Sequence, residues 1–172
     1  PLLSGLAGLL VSPNRGLLVF TPIALFAFCG AVRVWRSDAY PWLRYLTLGL
    51  AIHLVLYGKF DGWWAGYAYG PRYMTDVLPV LTLLLVPGLV SLWRRRAVRF
   101  MAAVMMMYGV AVQCVGVYCD DDEWNRRPVS IDVRPERVWD WSDWQDLRAA
   151  RSGWKGFALL PLLEEAFKDP VP

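Results

Sequence analysis

Long apolar runs separated by bunched charges leave this chain few folds to choose from. Of its 172 residues, 56% are hydrophobic and 19% charged, and the charges collect between the runs rather than inside them. A chain crossing about 30 Å of hydrocarbon needs roughly 20 mostly apolar residues, and its backbone must satisfy itself as helix because no water is present. Four stretches meet that pattern: about Leu17 to Trp35, Trp42 to Tyr57, Val77 to Trp93 and Val98 to Tyr118. The expected fold class is all-α membrane, with about four transmembrane helices in residues 1–118 and a small extracytoplasmic tail, carrying an interfacial helix, in residues 119–172. These spans use most of the length, which leaves no room for a separate soluble catalytic core.

The opening Pro1-Leu2-Leu3-Ser4-Gly5-Leu6 has no initiator Met and no basic stretch ahead of an apolar one. It does not read as a signal peptide, and the chain is expected to be cut from inside a longer polypeptide.

Arginines set the orientation. Arg33, Arg36 and Arg44 lie in the link between the first two spans and Arg94, Arg95, Arg96 and Arg99 in the link between the last two, whereas the middle link holds only Lys59 and Arg72. An excess of Lys and Arg marks cytoplasmic loops, so the Arg-rich links are expected inside. Arg15, the Lys59 to Asp76 connector and the tail then face outward, in a multi-pass protein of the cell inner (plasma) membrane.

Within the spans, Ala102, Gly109 and Gly116 recur every seven residues and offer a stripe of small side chains where another helix can approach closely. Pro22 follows shortly after the Ser12-Pro13-Asn14-Arg15-Gly16 turn, so the run between them is expected to be a short broken or re-entrant piece. Pro79 suits the first turn of a helix capped by Thr75 or Asp76. His53, the single histidine, falls near the middle of the second span, where it is either a functional group or a neutral imidazole bonded to a neighbouring helix. Cys29, Cys114 and Cys119 read as apolar filling without a disulfide.

The connector KFDGWWAGYAYGPRYMTD is the most informative stretch. Gly62, Gly66, Gly70 and Pro71 predict a shaped loop, and it sets Trp63, Trp64, Tyr67, Tyr69 and Tyr73 beside Lys59, Asp61, Arg72 and Asp76. Aromatic faces stack on sugars or lipid chains, and an Arg fork matches phosphate oxygens. The same aromatics equally suit an interfacial belt. By topology Arg15 shares this side with Arg72, so the two are candidates to hold an anionic lipid head together.

The strings SPNRGLLVFTP and WWAGYAYGPRYMTDVLP, with VWDWSDWQ in the tail, resemble the C-terminal half of bacterial membrane glycosyltransferases of the C-type fold, related to the dolichyl-phosphate-mannose protein mannosyltransferases. The resemblance runs from Ser12 to Gln145, with Gly70-Pro71-Arg72-Tyr73 as its best motif. It implies a polyprenyl-phosphate-linked sugar donor, transfer on the outer face, and a base in an early loop that has no match in this chain. Carried over by position, Arg72 and Arg15 would contact the donor phosphate, while Trp63, Trp64 and Tyr73 would line the lipid or sugar. Lys59, Asp61 and Asp76 would give polar support, and no residue is assigned as catalytic.

In the tail, Asp120-Asp121-Asp122-Glu123 could attract a divalent cation, but it lacks organised ligand spacing and reads better as a solvated loop; no cofactor or metal site is expected. Val129 to Val133 alternates weakly, like a short strand. Trp139, Trp141 and Trp144 suggest a lid or brace on the bundle, and Phe157 to Phe167 suits an amphipathic helix on the interface.

Two function classes follow: part of a membrane glycosyltransferase, or a non-catalytic membrane scaffold or docking protein. The fragment alone is not expected to be active. Expected partners are membrane lipid, a polyprenyl-phosphate sugar and the chain's own upstream portion. Nucleic acid is not indicated, because the arginines behind the pI of about 8.9 flank the spans.

Overall fold

The computed structural model describes residues 2–119 and 122–153, and within them every regular element is helical. Eight helices follow in order: α1 (Leu2–Val11), α2 (Leu17–Phe20), α3 (Ala24–Trp35), α4 (Pro41–Lys59), α5 (Leu78–Leu92), α6 (Arg96–Tyr118), α7 (Glu123–Arg126) and α8 (Gln145–Ser152). Two 3₁₀ segments, Arg72–Val77 and Pro135–Trp139, lead into α5 and across the tail.

Among the described residues, two stretches are long and apolar enough to cross a membrane, Arg72–Leu92 and Arg96–Tyr118. The first expected span is interrupted. Helix α2 stops at Phe20, Thr21 and Pro22 break the axis, and α3 is only 12 residues long. The broken piece expected ahead of Pro22 is therefore α2 itself. The second expected span is a helix of 19 residues that carries Arg44, His53 and Lys59, and it is not one of the two. Helix α1 had no counterpart in the sequence reading, because an apolar run of 10 residues containing Gly5 and Gly8 is too short to suggest a span.

Glycines set how closely the helices approach. A β-carbon on Gly30 of α3 would lie 1.8 Å from the Leu84 carbonyl oxygen of α5, and one on Gly88 would lie 2.0 Å from the Phe26 oxygen. Helices α3 and α5 therefore touch backbone to backbone. Gly5 does the same for α1 against Gly58 of α4. Ala27, Val34, Leu43, Leu50, Leu81 and Leu84 form the apolar centre that these crossings enclose.

The small-residue stripe of α6 is used, though by a loop as well as a helix. Ala102 packs with Ile23, Phe26 and Val98, Gly109 faces the Phe20 carbonyl, and Gly116 lies beneath the Tyr69 ring. Pro79 occupies the first turn of α5 as expected, but neither Thr75 nor Asp76 caps it; the cap is Val77, without a side-chain bond. Thr75 instead bonds back to the Arg72 carbonyl at 2.6 Å. The strand expected over Val129–Val133 is a bend and turn, since its neighbours give it no sheet partner. All three cysteines are free. The amphipathic helix expected over Phe157 to Phe167 lies outside the described residues.

Candidate functional site

The connector and the tail interlock at one end of the bundle, around the turn that follows α1. Ser12 organises that turn: its hydroxyl accepts from the Arg15 amide at 3.1 Å and its carbonyl from the Gly16 amide at 2.8 Å. The side chains of Asn14 and Arg15 are thereby aimed inward, and both residues are buried.

Arg15 does not stand ready for a phosphate. Nε donates to the Trp64 carbonyl at 2.8 Å, Nη1 to the Asn14 carbonyl at 2.7 Å and Gln145 Oε1 at 2.6 Å, and Nη2 to the Gly66 carbonyl at 3.2 Å and Asn125 Oδ1 at 2.6 Å. A guanidinium has five N–H donors, and all five are engaged. Its carbon also sits 5.3 Å from the centre of the Trp124 ring, over which Arg137 lies at 4.6 Å. Burying a charge is tolerable only with this degree of satisfaction. The shared role expected for Arg15 and Arg72 is thus replaced by a structural role for Arg15, because the tail supplies amide oxygens that local sequence could not reveal.

Sequence reasoning missed those amides. Asn125 and Gln145 are wholly buried, and both donate to the Ala68 carbonyl, at 3.2 and 3.1 Å. The backbone amide of Gln145 donates to Asn14 Oδ1 at 2.7 Å, and Asn14 Nδ2 donates to the Arg137 carbonyl at 3.2 Å. Uncharged amides placed beside tail tryptophans, Trp124-Asn125 and Trp144-Gln145, were the available signal. The brace expected of the tail is this closure, completed by Trp139 against Trp63 at 6.0 Å.

The aromatic candidates divide. Trp63 is buried, with its ring where a β-carbon on Gly8 would sit, so it joins α1 to the connector. Trp64 is half-buried, and its indole N–H reaches Asp132 at 3.4 Å. Tyr73 is half-buried and stacks on Tyr57 at 4.3 Å. Its carbonyl lies 2.7 Å from His53 Nε2; a carbonyl only accepts, so Nε2 carries the proton. His53 is therefore bonded to a neighbouring segment, the blander of its two expected roles.

Arg72 remains exposed, and its guanidinium has no side-chain partner among the described residues. Lys59, Asp61 and Asp76 are likewise exposed and make no ion pair there. Beside Arg72 is a cavity of about 80 Å³ whose walls include Thr21, Tyr69, Thr75 and Gln113. An open groove of about 440 Å³ runs along α6 past Ile23, Met105, Gly109 and Val117, and Thr21 and Gln113 line it too. Thr21 lies at the break that ends α2.

Among the described residues, no group of three or more His, Cys, Asp and Glu side chains could hold a metal. Asp120 and Asp121 of the acidic run lie outside those residues, and Asp122 is engaged by Asn125 at 2.5 Å and Arg126 at 3.1 Å. No known protein family, curated protein or solved structure matches this chain.

Proposed function

We propose that this chain is part of a membrane glycosyltransferase that takes its sugar from a polyprenyl-phosphate donor on the outer face of the membrane. The observation that supports the reading best is the sharing of Thr21 and Gln113 between the apolar α6 groove and the Arg72 cavity. An amphiphile with a long hydrocarbon tail and a phosphate needs such an arrangement: an apolar slot ending at an unpaired cation. Arg72 would hold the phosphate and stabilise the charge that grows on it as the sugar leaves. Tyr73, Trp64 and the exposed Lys59, Asp61 and Asp76 would border the sugar. The base is assigned to a part of the protein outside this chain.

In the full-length protein, Arg72→Ala should abolish sugar transfer while leaving expression and folding intact. Unchanged turnover would remove the proposal.

A second reading, a non-catalytic scaffold, draws on Arg15: one of the two phosphate candidates is instead the centre of a rigid, interlocked cap. The readings separate on ligand binding. A scaffold would retain no polyprenyl phosphate in nanodiscs, with or without Arg72.

A further inference from the structure

At the opposite end of the bundle, α3 and α5 finish side by side, and a cleft of about 350 Å³ opens between their last turns. Its lining includes Arg33, Tyr40, Val86, Val90, Ser91 and Arg94. We propose that this cleft binds the headgroup of an anionic phospholipid, with Arg33 and Arg94 gripping the phosphodiester and Val86 and Val90 receiving the start of an acyl chain.

Charge points to that occupant. The two links at this end carry seven arginines and one acid, Asp38. Asp38 is already paired with Arg44 at 2.5 Å, and the same guanidinium donates to the Ser37 carbonyl at 3.0 Å. Arg33 and Arg94 have no side-chain hydrogen bond or ion pair among the described residues, and both border the cleft. At the end of α3 it is Arg44 that donates to a last-turn carbonyl, Val34 at 3.2 Å, which leaves the Arg33 guanidinium its own donors for a ligand. A phosphodiester has two free oxygens and a single negative charge, which two guanidinium forks can share.

Depth points the same way. Trp35, Tyr40, Trp42 and Trp93 are all about half exposed at this end, as aromatic side chains are where hydrocarbon gives way to headgroups. The apolar floor made by Val86 and Val90 continues down the exposed face of α5, along which an acyl chain would lie. A free phosphate would leave that floor uncovered. This site is separate from the Arg72 groove and does not depend on the glycosyltransferase reading.

The test uses the full-length protein in nanodiscs of phosphatidylcholine, with or without phosphatidylglycerol, and counts lipids retained by native mass spectrometry. The parent should hold one phosphatidylglycerol in preference to phosphatidylcholine, and millimolar inorganic phosphate should not displace it. Arg33→Gln with Arg94→Gln should weaken that retention at least tenfold. Arg95→Gln with Arg96→Gln, which removes equal charge outside the cleft, should change it less than twofold. Val90→Trp fills the cleft without touching charge and should also weaken retention, which keeps the test decisive if the double variant folds poorly. Equal loss in both arginine pairs, no preference for the anionic lipid, or displacement by inorganic phosphate would each overturn the proposal.

Discussion

Arg15 and Gln145 meet through a single 2.6 Å hydrogen bond although 130 positions separate them in the chain. That bond belongs to a closed set in which one buried guanidinium gathers the end of α1, the aromatic connector and the tail. Removing it strands several oxygens at once. Arg15→Ala should destabilise the cap, at about 1–3 kcal/mol for each buried oxygen left without a donor. The expected readout is rapid tryptic cleavage between Arg126 and Arg151, with the helices of the bundle left intact. Arg15→Lys, with three donors in place of five, should be nearly as damaging.

The contact between α3 and α5 offers a second test. With the Leu84 oxygen 1.8 Å from where a β-carbon would stand, Gly30→Ala must push the two helices apart. A loss of about 1–3 kcal/mol is expected, as for other overpacked sites. Gly49→Ala, where nothing lies within 4 Å, should be neutral or slightly stabilising in a thermal melt in detergent.

Gln113 gives the Arg72 groove a test that spares the arginine. Gln113 borders both the cavity and the groove. Gln113→Trp should close the passage between them and lower binding of polyprenyl phosphate at least tenfold, while circular dichroism stays unchanged. Retained binding would mean that the two spaces are not one site.

Asp140 supplies a pH test outside the spans. Its carboxylate accepts from the Ser142 hydroxyl at 2.6 Å and the Ser142 amide at 2.9 Å, and these bonds hold its pKa below the ordinary carboxylate value. A lowered folded pKa stabilises the turn above the ordinary value, and that contribution is lost as pH falls through the lowered one. Ser142→Ala should therefore raise the Asp140 midpoint in an NMR titration toward the ordinary range.

Local pattern carried some of this architecture. The apolar runs of α5 and α6, the break at Pro22 and the shaped Gly62–Pro71 loop follow from residue type and spacing. What escaped was decided by distance along the chain. Shared sidedness with Arg72 made Arg15 a phosphate candidate, yet Asn125 and Gln145 surround it from positions far downstream. Trp63 looked like an interfacial ring until Gly8, in a helix too short to be noticed, made room for it. The α6 groove and Arg72 form one candidate site through Thr21 and Gln113, which are distant from each other and from Arg72 in the chain. Val129–Val133 alternates like a strand, but alternation makes a strand only where a partner exists.

The buried guanidinium also imposes an order of events on biosynthesis. Arg15 leaves the ribosome 110 residues ahead of Asn125 and 130 ahead of Gln145, whose amide groups surround the cation. Until then the charge must stay hydrated. The cap is therefore a late-closing seal, and a ribosome halted before Gln145 would leave a polypeptide whose helices can form while the cation stays open to water.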